Sequence, residues 1–185
     1  MVTGSSERQV WFAMRVTYRR ELVVRSKLED RGVECYIPMH WRRSVRTGKK
    51  ELVPVIHNLI FVHILPSAMK EIKKDVSMSC LQYMTDSRSG EKIIVPDGQM
   101  KQFIAVSGTY DDTLKFFGPG EADLSKGQKV RVTGGIFAGC EGVFVKVRGI
   151  RAKKVVIQIT GVVAVALISV HPDLVEPLGQ ISDSK

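Results

Sequence analysis

The sequence predicts an α+β protein in two parts: an N-terminal antiparallel sheet with flanking helices, then a small all-β barrel. Three observations carry this. Strand-like and helix-like stretches alternate up to about residue 116; beyond it only short runs rich in valine and isoleucine occur; and the seam reads Phe116-Phe117-Gly118-Pro119-Gly120-Glu121-Ala122-Asp123. Gly-Pro-Gly punctuates a chain strongly, because glycine admits turns and proline continues neither a helix nor a central strand. The expected boundaries are 9–113 for the first domain, 114–123 for a linker and 124–178 for the second domain.

In the first domain, Val10–Thr17 (VWFAMRVT) predicts a strand. Arg19–Arg31 predicts a helix, with Leu22, Val24 and Leu28 on one face and Gly32 as its C-terminal cap. Glu34–Pro38 predicts a short strand, and Arg42–Val55 a β-hairpin turning at Thr47-Gly48 with basic arms. Asn58–Ile64 (NLIFVHI) reads as a buried strand. Pro66 opens a short helix to about Lys74, a position that suits proline. Leu81–Met84 and Ile93–Val95 are further strands, and Pro96 opens a helix to about Val106. In the second domain, strands are expected at 128–133, 142–146, 155–159, 163–168 and 174–176, with turns at 149–154 and Thr160-Gly161. A short chain of many strands favours closure, which removes exposed edges.

The charge narrows the function. The chain of 185 residues has 28 Lys+Arg against 19 Asp+Glu, a formal net charge of +9. Such an excess attracts polyanions, nucleic acid first among them. Residues 1–120 hold 19 basic and 13 acidic side chains, residues 121–185 hold 9 and 6, so most of the excess lies in the first domain. The longest apolar run, Val162–Val170, falls far short of the ~20 residues a spanning helix needs, so no membrane role is expected. The N-terminus lacks the apolar core of a signal peptide, and Cys35, Cys80 and Cys140 are an odd number at wide spacing. Both features predict a cytoplasmic protein with reduced thiols; a monomer is expected.

The most specific stretch runs from Gly127 to Val145 (GQKVRVTGGIFAGCEGVFV). Val130 and Val132 alternate into a core, Gly135 and Gly139 permit a tight bend, Phe137 plugs one end of the barrel, and Gly142 lets the next strand start close to its neighbour. This pattern resembles the KOW motif, and the barrel implied is SH3-like. Ahead of it come Trp11-Phe12 on an opening strand, a charged helix, Gly32-Val33-Glu34-Cys35-Tyr36-Ile37-Pro38, a basic hairpin and Asn58-Leu59-Ile60-Phe61-Val62. That order resembles the NusG family over about residues 9–178. The segments ECYIP and NLIFV are similar to its specialised members, such as RfaH and regulators of capsular polysaccharide operons.

The resemblance implies a transcription elongation and antitermination factor that suppresses pausing or termination. Its first domain would dock on the clamp helices of the largest RNA polymerase subunit, with Ile56, Leu59 and Phe61 on the docking surface. Phe61 and Val62 keep the family pattern, whereas Ile56, His57, Asn58 and Leu59 depart from it. Leu59 to Val62 read equally as core strand residues. Arg19, Arg20 and Lys27, with Tyr18 and Arg25, lie where specialised members meet DNA, or else form a solvated helix face. Arg42, Arg43, Arg46, Lys49 and Lys50 place five cations in nine residues and imply an arm beside DNA or RNA. Trp41 at its base either stacks on a base or packs. The barrel would hold a ribosomal protein or the Rho factor, and its β-branched strands argue against refolding. The alternative is a ribosome-associated or general RNA-binding protein that uses the barrel.

No catalytic constellation, cofactor cradle or metal set is expected. His40, His57, His63 and His171 do not share ligand spacing with cysteines or carboxylates, and no CxxC, P-loop or GxSxG element is present.

Overall fold

The computed structural model describes residues 7–118, 121, 124–147 and 149–178, and the chain divides into two compact units between Ile104 and Ala105.

The first unit is built on β1 (Val10–Val16). β1 pairs antiparallel with β5 (Leu59–Ile64) along its whole length, Val10 opposite Ile64 and Arg15 opposite Leu59. β2 (Glu34–Tyr36) lies on the far side of β5, while β6 (Leu81–Tyr83) and β7 (Ile94–Val95) share the other edge of β1. β3 (Met39–Arg43) and β4 (Lys50–Pro54) form a separate two-stranded hairpin. α1 (Glu21–Glu29) and α2 (Pro66–Lys74) place Val24, Leu28, Met69 and Ile72 against Phe12, Met14, Ile60 and Val62 in one hydrophobic cluster. On the opposite sheet face, Phe103 of α3 (Asp97–Ser107) stands edge-on to Phe61, their ring centroids 5.8 Å apart. Two β-strand faces are thus covered, so the four residues Leu59–Val62 are all buried. An unbroken apolar run is what a strand buried on both sides requires.

α1 is shorter than the Arg19–Arg31 expected because Tyr18 and Arg19 have φ of 62° and 52°, which no helix tolerates. It ends with Val33 N–H donating to Leu28 C=O and Gly32 N–H to Glu29 C=O, the paired bonds of a Schellman cap. Arg31, just beyond it, bonds Asp75 after α2, and that hydrogen bond holds the Asp75 carboxyl down at about 2.

The second unit is a six-stranded antiparallel sheet in the order β13-β9-β10-β11-β12-β8. Its strands are β8 (Leu114–Phe117), β9 (Gln128–Val132), β10 (Glu141–Lys146), β11 (Lys153–Ile159), β12 (Val163–Leu167) and β13 (Val175–Pro177). β8 differs from expectation. Leu114–Phe117 belongs to a strand paired with β12, with Phe117 opposite Ala164 and buried, rather than to a linker. The rest of the expected linker, at 119–120 and 122–123, lies outside the described residues.

Candidate nucleic-acid interface

The expected site residues fall into four places. The first is the corner between β1 and α1. Val16 N–H donates to Asn58 C=O at 2.9 Å, and Arg19 N–H donates to Asn58 Oδ1 at 3.1 Å. Asn58 N–H in turn donates to the carboxylate of Glu21, which is 2% exposed in the first turn of α1. Burying a carboxylate is tolerable because it accepts this bond and faces a helix N-terminus. Asn58 itself has φ 66°, a conformation asparagine adopts more readily than most residues. The latch holds the adjoining residues at positive φ and turns Tyr18, Arg19 and Arg20 outward. Tyr18 is 83% exposed, with the Arg20 guanidinium 5.8 Å from its ring centroid. Lys27 does not join them. Its Nζ donates to Ser77 C=O at 3.1 Å and tethers α1 to the segment after α2, and Arg25 pairs with Glu29 one turn on.

The second place is the β3–β4 hairpin. It starts earlier than the sequence suggests, at Met39, and turns through 44–49. Arg42 and Glu51 face each other across the strands at 3.0 Å, and the Arg43 guanidinium donates to Gly48 C=O at 3.1 Å. Arg46, Lys49 and Lys50 are exposed, and their side chains make no hydrogen bond or ion pair among the described residues.

The third place is the expected polymerase-docking surface, where the alternative of core strand residues describes what is seen at Leu59 and Phe61. Leu59 and Phe61 are buried, Phe61 beneath Phe103, which also meets Tyr36 edge-on at 6.4 Å. A side chain so covered presents nothing to a partner. Ile56 lies outside the strand in the loop after β4 and is half-buried.

The fourth place is the glycine-framed turn between β9 and β10. Val130, Val132 and Phe137 are buried as expected, and Gly135 and Gly139 have φ of 76° and 83°. Gly139 N–H donates to Val132 C=O at 2.8 Å, which closes the turn. A Cβ on Gly142 would sit 2.7 Å from the Val156 carbonyl oxygen, and one on Gly127 would sit 2.1 Å from Val143 Cγ1. Ile136, beside buried Phe137, is 72% exposed, and Leu174 is 38% exposed. The sequence reading missed Ile136; an isoleucine at the tip of a turn, where apolar residues are unusual, was the signal for it.

Burial pushes the Cys35 thiol up to about 11 and raises the Cys140 thiol as well, so both stay protonated near neutrality. Among the described residues, no group of three or more His, Cys, Asp and Glu side chains is placed to hold a metal ion, and no helix is long and apolar enough to cross a membrane.

A helix-flanked antiparallel sheet with a cationic hairpin, followed by a small all-β unit, is the plan of a transcription factor. Residues 9–104, just over half of the chain, match the family described as "Transcription termination factor nusG", and the chain belongs to this NusG family. Among solved structures, one titled "Domain interaction in Thermotoga maritima NusG" is similar, at 20% identity and a TM-score of 0.46, over 93% of this chain and 98% of that one. A comparison with curated proteins found no match.

Proposed function

We propose that the chain is an elongation and antitermination factor that binds RNA polymerase through its first unit, holds nearby nucleic acid and so suppresses pausing or termination. Family membership supports polymerase as the partner, with the clamp helices of the largest subunit as the docking site. The observation that carries the rest is the pairing of two exposed cationic features on one unit: the Tyr18–Arg20 corner and the Arg46, Lys49 and Lys50 set on the hairpin. Cations of this kind neutralise phosphates and position a protein on nucleic acid without reading sequence. Because Leu59 and Phe61 are covered, Ile56 is the one residue of the expected docking set left near the surface. Exposed Ile136 and Leu174 offer the second unit an apolar contact for a protein partner such as a ribosomal protein or Rho. Specialisation for long polysaccharide operons rests on the resemblance of ECYIP and NLIFV.

The test is co-purification with RNA polymerase together with transcript elongation through a pause site. The expected result is retention on polymerase and shortened pauses, both weakened by R19E/R20E. Unchanged pausing with no retention overturns the proposal. The second reading, an RNA-binding protein acting through its barrel, is favoured by the exposed Lys126, Lys129, Lys146, Arg151 and Lys153. It predicts tight, steeply salt-dependent binding of naked RNA that survives R19E/R20E.

A further inference from the structure

The hairpin has two unlike faces. Side chains alternate along a strand, and directly opposed residues of an antiparallel pair share a face. One face holds Arg42 opposite Glu51 and His40 opposite Val53, and there the ion pair cancels the charge locally. The other holds Met39 opposite Pro54, Trp41 opposite Leu52 and Arg43 opposite Lys50. Met39 and Leu52 join the hydrophobic cluster of the first unit, so the inner end of this face is anchored. Trp41 comes next and is 46% exposed. Arg43 and Lys50 lie beyond it, Arg46 and Lys49 crown the turn, and none of the six residues of the face is acidic.

We propose that the Trp41 face is a stacking platform for single-stranded nucleic acid. The proposal rests on the hairpin being a nucleic-acid arm and adds which kind of strand it takes. Half of the indole is left in water, where it forgoes burial, immediately before a run of cations without acidic neighbours. A single strand matches that order: an unpaired base offers its face to the ring, and neighbouring phosphates, within the ~7–8 Å reach of diagonal strand neighbours, meet Arg43 and Lys50. A duplex offers the phosphates but keeps its bases stacked inside, so it would engage the cations and leave the ring unused.

Tryptophan fluorescence of the full chain tests this directly. The other tryptophan, Trp11, is 5% exposed and stacked on His63 at 4.7 Å, so a bound strand quenches Trp41. The probes are a short oligothymidylate and a duplex of equal length, with binding followed in parallel by anisotropy of labelled copies. Expected is quenching by the single strand and not by the duplex. W41A should weaken single-strand binding at least about five-fold, W41F should restore most of it, and W41F should lack the quench. Should W41A fold poorly, quenching of the unaltered chain still decides. Equal binding of both probes without quenching overturns the stacking platform and leaves the cationic arm standing. Binding of neither probe overturns the arm and the platform together.

Discussion

Strand β5 and the β3–β4 hairpin follow one another closely in the chain, and both carry residues that the family resemblance marks for partner contact. The structure treats them oppositely. In β5, Leu59 to Val62 are sealed on both faces, by the α1 and α2 cluster on one side and by Phe103 on the other. In the hairpin, every residue from His40 to Arg43 is exposed. The contrast is one of period. Four consecutive apolar residues leave no polar face, so water must be excluded from both sides. The hairpin alternates instead, with its polar residues free to meet water or phosphate. A motif match names positions; the apolar period decides which of them can touch a partner.

The strongest way to break this contrast is Phe61→Ala. Removing a buried phenylalanine costs about 3–5 kcal/mol of stability, through lost burial and the cavity left under Phe103. The denaturation midpoint of the first unit should fall accordingly, with polymerase binding lost only to the extent that folding is lost. R46E/K49E/K50E should do the reverse, leaving stability within about 0.5 kcal/mol while abolishing nucleic-acid binding. A folded, fully stable Phe61→Ala chain that no longer binds polymerase would return Phe61 to the surface.

A second comparison uses the other unit. Gly142→Ala places a methyl 2.7 Å from the Val156 carbonyl oxygen and 2.8 Å from Val155 Cγ1. Backbone yields little, so a cost of about 1–3 kcal/mol is expected. The loss should appear in the melting of the β9–β12 sheet, while single-strand binding by the hairpin stays intact. Loss of that binding would move the nucleic-acid site to the second unit and favour the RNA-binding reading.

Asn58→Ala probes the latch that joins the buried strand to the exposed corner. It removes the acceptor for Arg19 N–H and puts alanine at φ 66°. The expected cost is about 1–3 kcal/mol, seen as a lower unfolding midpoint. Asn58→Gly should recover the backbone share and not the hydrogen bond. If the corner is a nucleic-acid contact, both variants should weaken binding beyond their effect on stability.

Much of this was legible in advance, for reasons that particular residues show. The apolar, strand-favouring run Val10–Val16, the proline at the start of α2 and the Gly-Gly-Ile-Phe-Ala-Gly turn all act locally, so the sequence carries them whole. What it does not carry are relations between distant residues. The start of α1 depends on Asn58, 39 positions from Arg19, and the tether of Lys27 depends on Ser77, 50 positions away. The covering of Phe61 depends on Phe103 of α3. Leu114–Phe117 was hidden differently: the Gly-Pro-Gly that follows is so strong a break that it drew the boundary ahead of a strand.

The smallest effect is the one that separates the two faces of the hairpin. Arg42 and Glu51 form an exposed pair, and such pairs contribute about 0–1 kcal/mol to stability. Replacing both by alanine leaves the net charge unchanged, so the dependence of log binding on log salt should keep its slope. Lys49 and Lys50 have no acid to neutralise them, and each phosphate contact on a single strand contributes about 0.7 to the slope, so K49A/K50A should lower it by about 1.4. Anisotropy titrations at several salt concentrations measure both. Should the paired face change the slope and the lysines leave it alone, the strand would lie on the Arg42 side, and Trp41 would be packing at a hairpin root.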